Sequence, residues 1–381
     1  MASPQLLKFG HPYRMDRNLF VKMPLHPQQH VRVSCEEEEV DSADEALCEM
    51  LGLSALGSLA LEDDVDGACR DENGDDHAAT HPSNFDPSKP VSASLLAKCA
   101  GLSSIFHEDC IFTFPSEISV PSTLLRTLTE QLVWDQKIQC DRTYETIKVL
   151  KNGEIIERRV LTRLENFVNL HDGWSQLCNG YLRQCLSVAL GKEMTLFKEK
   201  LNLKPAGGSG FAPHLDGPSL RIALGDDGPK NFVTVMVAID DMTSKNGCLR
   251  ICRGQWDSQN CIQVIEPEKD GNPDAGGRAG AIPADVAEKL HFEDIECKGG
   301  SIVCFGDFMP HRSSSNITPF PRRAVFLTYN PASEGTFREA YYKHMEQKRN
   351  AWRQNIGLAK RKQVLEDEQM ELQALSTIPK I

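Results

Sequence analysis

From residue 194 onward the chain leaves helical periodicity and breaks into short, apolar, β-rich runs separated by turns: MTLFKEKLNLK, NFVTVMVAIDD, GCLRICRG, GSIVCFGDF and RRAVFLTYN. Segments of this length satisfy their backbone groups by pairing with one another, and several at close spacing predict a mainly β domain, a sandwich or jelly roll. Two stretches before them carry leucines at helical spacing. PSTLLRTLTEQLVWDQ (121–136) begins at Pro121, and GWSQLCNGYLRQCLSVALG (173–191) is closed by Gly191, so both read as helices flanking the sheet. Between them, TYETIKVLKNGEIIERRVLTR predicts a hairpin turning at Asn152-Gly153. GNPDAGGRAGAIPAD (271–285) is a long Gly/Pro loop of the kind that often covers an active site, residues 336–374 read as one or two charged helices, and there is no internal repeat.

Charge divides the chain. Sixteen carboxylates lie between Glu36 and Asp76 against one basic residue, Arg70, so the formal charge of −12 belongs to that segment and the remainder carries about +3. Acidic runs interrupted by Gly, Pro and Asp bury too little apolar surface to offset ordering, and most of 35–95 is expected to be disordered, with the leucine-rich stretch 47–61 as a short helix at most. The expected organisation is an acidic N-terminal extension over 1–95, a catalytic domain over 96–345 and a helical C-terminal tail over 346–381.

Thirteen cysteines form no C-x-x-C pair, which disfavours zinc-ribbon and thioredoxin-like readings and fits scattered reduced thiols in a cytoplasmic protein. The first thirty-four residues hold five Lys or Arg against one Asp, which leaves organelle targeting as the alternative. No basic face with interleaved aromatics points to nucleic acid, and no apolar run reaches the ~18 residues of a membrane span.

GFAPHLDGPS (210–219) places His214 and Asp216 two positions apart before a Gly-Pro break. On an extended strand end both side chains project to the same side, offering two ligands to one ion while Leu215 faces elsewhere. A third ligand, His311, follows a buried strand and Pro310, and Arg322 opens the next apolar strand eleven residues later. Two imidazoles and one carboxylate on one side of a metal, with open positions opposite, is the arrangement used by non-haem iron oxygenases. A guanidinium at the start of a buried strand needs an anion, and its planar fork suits a carboxylate such as that of 2-oxoglutarate, with Ser313 near enough to add a hydroxyl.

With these residues in order, the sequence resembles the phytanoyl-CoA dioxygenase family of Fe(II)- and 2-oxoglutarate-dependent oxygenases over roughly residues 100–345. His214-Leu215-Asp216, His311 and Arg322 carry the likeness, supported by NGCLRI (246–251), GGS (299–301) and RRA (322–324). LTRLENFVNLH (161–171) and LFKEKLNLKPAGGSGFAPHLD (196–216) resemble the branch that hydroxylates 2-aminoethylphosphonate and its trimethylated analogue. The resemblance implies a double-stranded β-helix, a cupin-like jelly roll, with Fe(II) bound by His214, Asp216 and His311. It further implies 2-oxoglutarate held by Arg322, Ser313 and Asn202, and O2 consumed with release of succinate and CO2. Leu215 stands where many relatives have glutamine, so any hydrogen-bonding role of that glutamine does not carry over.

Lys198, Lys200 and Lys204 share one strand face by parity, and with Arg163 they suggest binding of a small, polar, anionic substrate such as an aminoalkylphosphonate; the alternative is that the lysines lie on a solvated strand face with Glu199 opposite. Asn166 and His171 are further pocket candidates. A secondary metabolite or an acyl-CoA is the alternative substrate. Two other classes remain open on the residues alone: a zinc hydrolase using the same ligands, and a non-catalytic binding module recruited through the acidic arm. The sequence leaves the oligomeric state open.

Overall fold

The structure is a computed structural model that describes residues 85–351 and 354, apart from 136, 152, 153, 226, 227 and 265–279. The leucine-rich stretch 47–61, the acidic run 36–76, the Asn152-Gly153 turn and most of the 271–285 loop lie outside the described residues.

The chain enters through α1 (Ala93–Cys99), α2 (Leu102–Asp109), strand β1 (Ile111–Thr113) and α3 (Ser122–Trp134), followed by the hairpin β2 (Asp141–Lys151) and β3 (Glu154–Glu165). Its second major helix runs as α4 (Asp172–Ser175), a π-helical stretch over Gln176–Leu182, and α5 (Arg183–Leu190). Then come β4 (Met194–Lys204), β5 (Phe211–His214), α6 (Asp216–Leu224), β6 (Val233–Ala238), β7 (Leu249–Ile251), α7 (Ala284–Ala287), β8 (Glu293–Ile295), β9 (Ile302–Gly306), β10 (His311–Ser313) and β11 (Arg322–Pro331). A last helix, α8, occupies 338–351.

All strand pairs are antiparallel. Seven strands form a large sheet in the order β1-β9-β6-β11-β4-β3-β2, and four form a small one in the order β5-β10-β7-β8. The two sheets face each other as a double-stranded β-helix of the jelly-roll type. Its outer apolar face, including Leu201, Val235, Val325 and Tyr329, packs under Leu125, Leu132, Trp174 and Leu186 of the flanking helices. Between the sheets, Met236, Ala238, Val303, Phe305 and Ala324 meet Leu249 and Ile251. Strands covered on both faces bury every position, which is why β6 and β9 read as unbroken apolar runs. The helix layer sits close: a Cβ at Gly173 would come within 2.5 Å of the Leu128 side chain, which would have to shift to admit it. Among the described residues, no helix is long and apolar enough to cross a membrane.

One irregularity in β4 positions the site. Thr328 of β11 pairs with Lys198 but Tyr329 pairs with Leu196, which leaves Phe197 as an inserted residue. Leu196 and Tyr329 belong to the helix-side core, whereas Lys198 and Thr328 line the interior. Without the bulge, Lys198 would share the face of Leu196, because side chains alternate with a period of two.

The boundaries expected at 95 and 345 both fall inside helices. Phe85 already packs edge-on against Tyr181, with centroids 4.8 Å apart, and Val91 and Cys99 are core residues, so ordered packing begins ahead of residue 96. At the other end, Phe337, Tyr341 and Met345 of the α8 region close over Phe197, Leu220 and Phe232, and Arg349 pairs with Asp141 at 2.9 Å. The lysine face of β4 is not solvated, since Lys198 and Lys204 are buried. Glu199 opposite them is fully buried too, accepting from the backbone N–H groups of Phe167 and Val168, from the Tyr342 hydroxyl and from Arg338 (Nη2 to Oε1, 2.7 Å). These partners offset the desolvation of its charge and fasten α8 to β4.

Candidate active site

His214 ends β5 and His311 opens β10, and the two are direct partners in the small sheet, with ring centroids 4.1 Å apart. After His214 the backbone stays extended through Leu215 (φ −114°, ψ 139°), so Asp216 returns to the side of His214. The ladder ends as expected, and Gly217-Pro218 lies in the first turn of a helix, since Asp216 is the first residue of α6. Ligand atoms of His214, Asp216 and His311 all lie within 4.8 Å of one another, and His311 Nε2 is 4.0 Å from Asp216 Oδ2.

The lone pairs are aimed by the backbone. His214 Nδ1 lies 2.8 Å from the Ala212 carbonyl and His311 Nδ1 lies 2.9 Å from the Met309 carbonyl. A carbonyl only accepts, so each Nδ1 carries the proton and each Nε2 is left with a lone pair for a metal. Thr234 Oγ1 donates to Asp216 Oδ2 at 3.1 Å and orients the carboxylate. Burial pushes the Asp216 carboxyl up, but the positive charge around it, Lys198 first, outweighs this and holds the group well below the usual carboxylate range. Two imidazoles in the metal-binding tautomer and one ionised carboxylate fit a divalent iron ion, with no fourth protein ligand among the described residues.

Leu215 is fully buried with Ile282, Ala287 and Phe308, and its N–H donates to the Gly280 carbonyl. An apolar side chain at this position is thus accounted for by packing under the segment that re-enters at Gly280.

A cavity opens beside the triad. Successive rungs of the large sheet line it. Lys198, Thr328 and Thr234 are paired across β4, β11 and β6, while Arg163 and Asn202 are paired across β3 and β4. Lys200, Arg312, Ser313 and Arg322 also face it, so five cations line it together with the Asp216 carboxylate, and Lys200 also pairs with Glu165 at 3.9 Å.

Arg322 is 3% exposed, and its guanidinium donates only to the backbone carbonyls of Asn246 and Gly247. No carboxylate among the described residues pairs with it, and burial lowers it from the ordinary 12.5 to about 10. The neighbouring Arg323 points the other way and is held bidentately by Asp240 at 2.8 and 2.9 Å. One arginine of the pair therefore has its anion within the protein, while the other faces the cavity without one.

The structure brings His214, Asp216, His311, Arg322, Ser313, Asn202, Lys198, Lys200 and Arg163 to this cavity. It does not bring Asn166, His171 or Lys204. His171 caps α4, its Nδ1 accepting from the Trp174 N–H. Asn166 occupies a left-handed turn (φ 59°) and accepts from Arg338. Lys204 turns aside to Gly247, Ser313 and Ser314, and burial, followed by Arg322, pulls its ammonium down to about 7. Sequence reasoning missed Thr234 and Arg312. For Arg312 a signal existed, since it stands between His311 and Ser313, but strict alternation argued that it faces away.

A model of the family described as phytanoyl-CoA dioxygenase (PhyH) matches residues 134–324. The chain is 34% identical over 229 residues to a 2-aminoethylphosphonate dioxygenase of uncultured bacterium HF130_AEPn_1, covering 58% of this chain and 81% of that protein. It is 32% identical over 181 residues to a methylphosphonate hydroxylase of Gimesia maris, covering 47% of this chain and 62% of the relative. Among solved structures, EctD from S. alaskensis in its apo form is similar at 21% identity and a TM-score of 0.45, over 67% of this chain and 82% of that one.

Proposed function

The chain belongs to the phytanoyl-CoA dioxygenase family and is an Fe(II)- and 2-oxoglutarate-dependent dioxygenase, and from that premise we propose that it hydroxylates a small anionic substrate, an aminoalkylphosphonate in the first instance. The observation that carries the co-substrate assignment is Arg322, a buried guanidinium on the cavity wall with no carboxylate partner among the described residues. The substrate class follows from charge. Five cations against Asp216 and the Glu165 carboxylate that pairs with Lys200 leave a surplus of +3, and an Fe(II) ion together with a 2-oxoglutarate dianion leaves that surplus unchanged. A cavity with that surplus favours a solute bearing an anionic group, such as a phosphonate, over a neutral one.

In this reading His214, Asp216 and His311 hold the iron. Bound iron supplies the redox chemistry that couples oxidative decarboxylation of 2-oxoglutarate to hydroxylation, so that 2-oxoglutarate, O2 and R–H give succinate, CO2 and R–OH. The chain's own groups do the rest. Arg322 and Ser313 grip the distal carboxylate of 2-oxoglutarate, and Asn202 adds a hydrogen bond further along β4. Lys198, Lys200 and Arg163 receive the substrate anion and so fix which C–H bond faces the metal. Carbonyls 212 and 309 keep both imidazoles in one tautomer, and Thr234 keeps the Asp216 carboxylate turned inward.

The experiment is turnover of anaerobically purified protein given Fe(II), 2-oxoglutarate and O2, with and without 2-aminoethylphosphonate and related phosphonates. Succinate and product are read together by mass spectrometry. Phosphonate-dependent succinate with a product gain of one oxygen is expected. Succinate only with a non-anionic substrate would overturn the substrate class. No succinate under any condition, with tight zinc retention, would overturn the oxygenase assignment in favour of a hydrolase.

A further inference from the structure

Lys204 and Arg322 are directly paired residues on β4 and β11, two cations opposite each other and both almost fully buried. Like charges in such positions repel, so the arrangement calls for a reason. Both donate to the same acceptor, the Gly247 carbonyl. Gly247 sits at φ +72°, and a Cβ there would fall 2.2 Å from the Ser314 carbonyl oxygen and 2.8 Å from Lys204 Nζ, so only glycine permits the convergence.

In its ammonium form, which it holds below about pH 7, Lys204 has all its hydrogen bonds complete. Its three N–H donors meet three acceptors: Ser314 O at 2.7 Å, Ser313 Oγ at 3.0 Å and Gly247 O at 3.3 Å. An ammonium so engaged has no proton left for a ligand and acts through what it holds. Ser313 Oγ accepts a second bond from the Phe211 N–H at 3.2 Å. A hydroxyl oxygen has two lone pairs and one proton. With both lone pairs taken by donors, the Ser313 hydroxyl can only donate, and Ser313 lines the cavity together with Arg322.

We propose that Lys204 is a positioning residue for 2-oxoglutarate: it fixes the Ser313 hydroxyl as a donor aimed, with Arg322, at the distal carboxylate. This rests on the co-substrate assignment above. Lys204 does not touch the ligand. Its removal would let the Ser313 hydroxyl turn back toward protein carbonyls, so that one of the cavity's donors would be lost without any change in the metal ligands.

The test is calorimetric titration of protein loaded with Mn(II), a redox-silent ion for this purpose, with 2-oxoglutarate and with 2-oxobutyrate, which lacks the distal carboxylate. Wild type, Lys204→Met, Ser313→Ala and the double variant are compared. Each single substitution is expected to weaken 2-oxoglutarate roughly tenfold, the scale of one hydrogen bond to a charged group, and to leave 2-oxobutyrate and Mn(II) affinity unchanged. The double variant is expected to be no weaker than either single one. Lys204→Gln, neutral but still a donor, should retain more discrimination than Lys204→Met, and it serves if the latter does not fold. Equal losses for both oxo acids would reduce Lys204 to a structural staple, and additive losses in the double variant would separate it from Ser313. Either result overturns the proposal, as would an unchanged Lys204→Met. Failure of the wild type to bind 2-oxoglutarate would instead refute the co-substrate assignment itself.

Discussion

Arg322→Met and Arg323→Met should move stability in different ways although the residues are neighbours on β11. Burial takes Arg322 from 12.5 to about 10, so keeping that charge in the folded chain costs about 3 kcal/mol. Its bonds to the Asn246 and Gly247 carbonyls return a comparable amount, roughly 2–3 kcal/mol, and the Gly247 carbonyl keeps Lys204 as a donor when Arg322 is removed. Without ligand, Arg322→Met should therefore lie within about 1 kcal/mol of wild type. Arg323→Met leaves Asp240 with Arg126 at 3.1 Å, on a half-exposed side chain, and the backbone N–H of residue 323 at 3.0 Å, and should cost about 3 kcal/mol, the scale of breaking a buried pair. The order changes when 2-oxoglutarate is present. At a hundred times its Kd the ligand should raise wild-type stability by about 2.7 kcal/mol, Arg323→Met should keep that increment, and Arg322→Met should lose nearly all of it. Thermal unfolding of the Mn(II)-loaded proteins with and without 2-oxoglutarate reads all these quantities. If unliganded Arg322→Met falls as far as Arg323→Met, the guanidinium has its counter-charge inside the protein. If Arg322→Met keeps the ligand increment, the anion it awaits is not 2-oxoglutarate.

Three further outcomes can be checked. Asp216→Ala and His311→Ala should abolish metal retention through dialysis and Thr234→Val should weaken it about tenfold, measured by elemental analysis; an unchanged Thr234→Val would mean that its hydroxyl does not orient the carboxylate. Arg338→Leu leaves the Glu199 charge buried with neutral donors only and should cost about 3 kcal/mol in urea unfolding, far more than an exposed ion pair such as Lys98–Glu117. Lys204 has a folded-state pKa of about 7 against an ordinary 10.5, so between those values the unfolded chain holds a proton that the folded chain does not. Its destabilising contribution is full below pH 7 and fades as pH rises, so the metal-free protein should gain stability relative to Lys204→Met between pH 7 and 9.5, by up to a few kcal/mol. A difference between the two proteins that stays constant with pH would show the ammonium to be well solvated.

What could be read in the sequence was what local chemistry dictates. The long strands announced themselves through β-rich composition, and the triad through ligand types at strand ends. Arg322 was legible because a charge opening an apolar run must be answered. What escaped depends on distant partners or leaves no local mark. Strands β1, β7, β8 and β10 are three residues each, too short to show a period. The bulge at Phe197 follows Leu196 with no glycine or turn residue to mark it, yet it decides that Lys198 faces the cavity. Lys204 has the parity of Lys198 and Lys200, but Ser313 and Ser314, more than a hundred residues away, draw it aside. His171 and Asn166 looked like pocket residues because they are polar and lie in the branch-specific stretch, whereas one caps a helix and the other turns a corner.

His214 and His311 face each other as partners on two strands of only four and three residues. A slip of one position would swing one imidazole outward and leave the ion with too few ligands to stay. The metal is therefore a gauge of strand alignment as well as a reagent. Misaligned chains would come off a dialysis column empty, and the loaded fraction would count the molecules whose short sheet closed correctly.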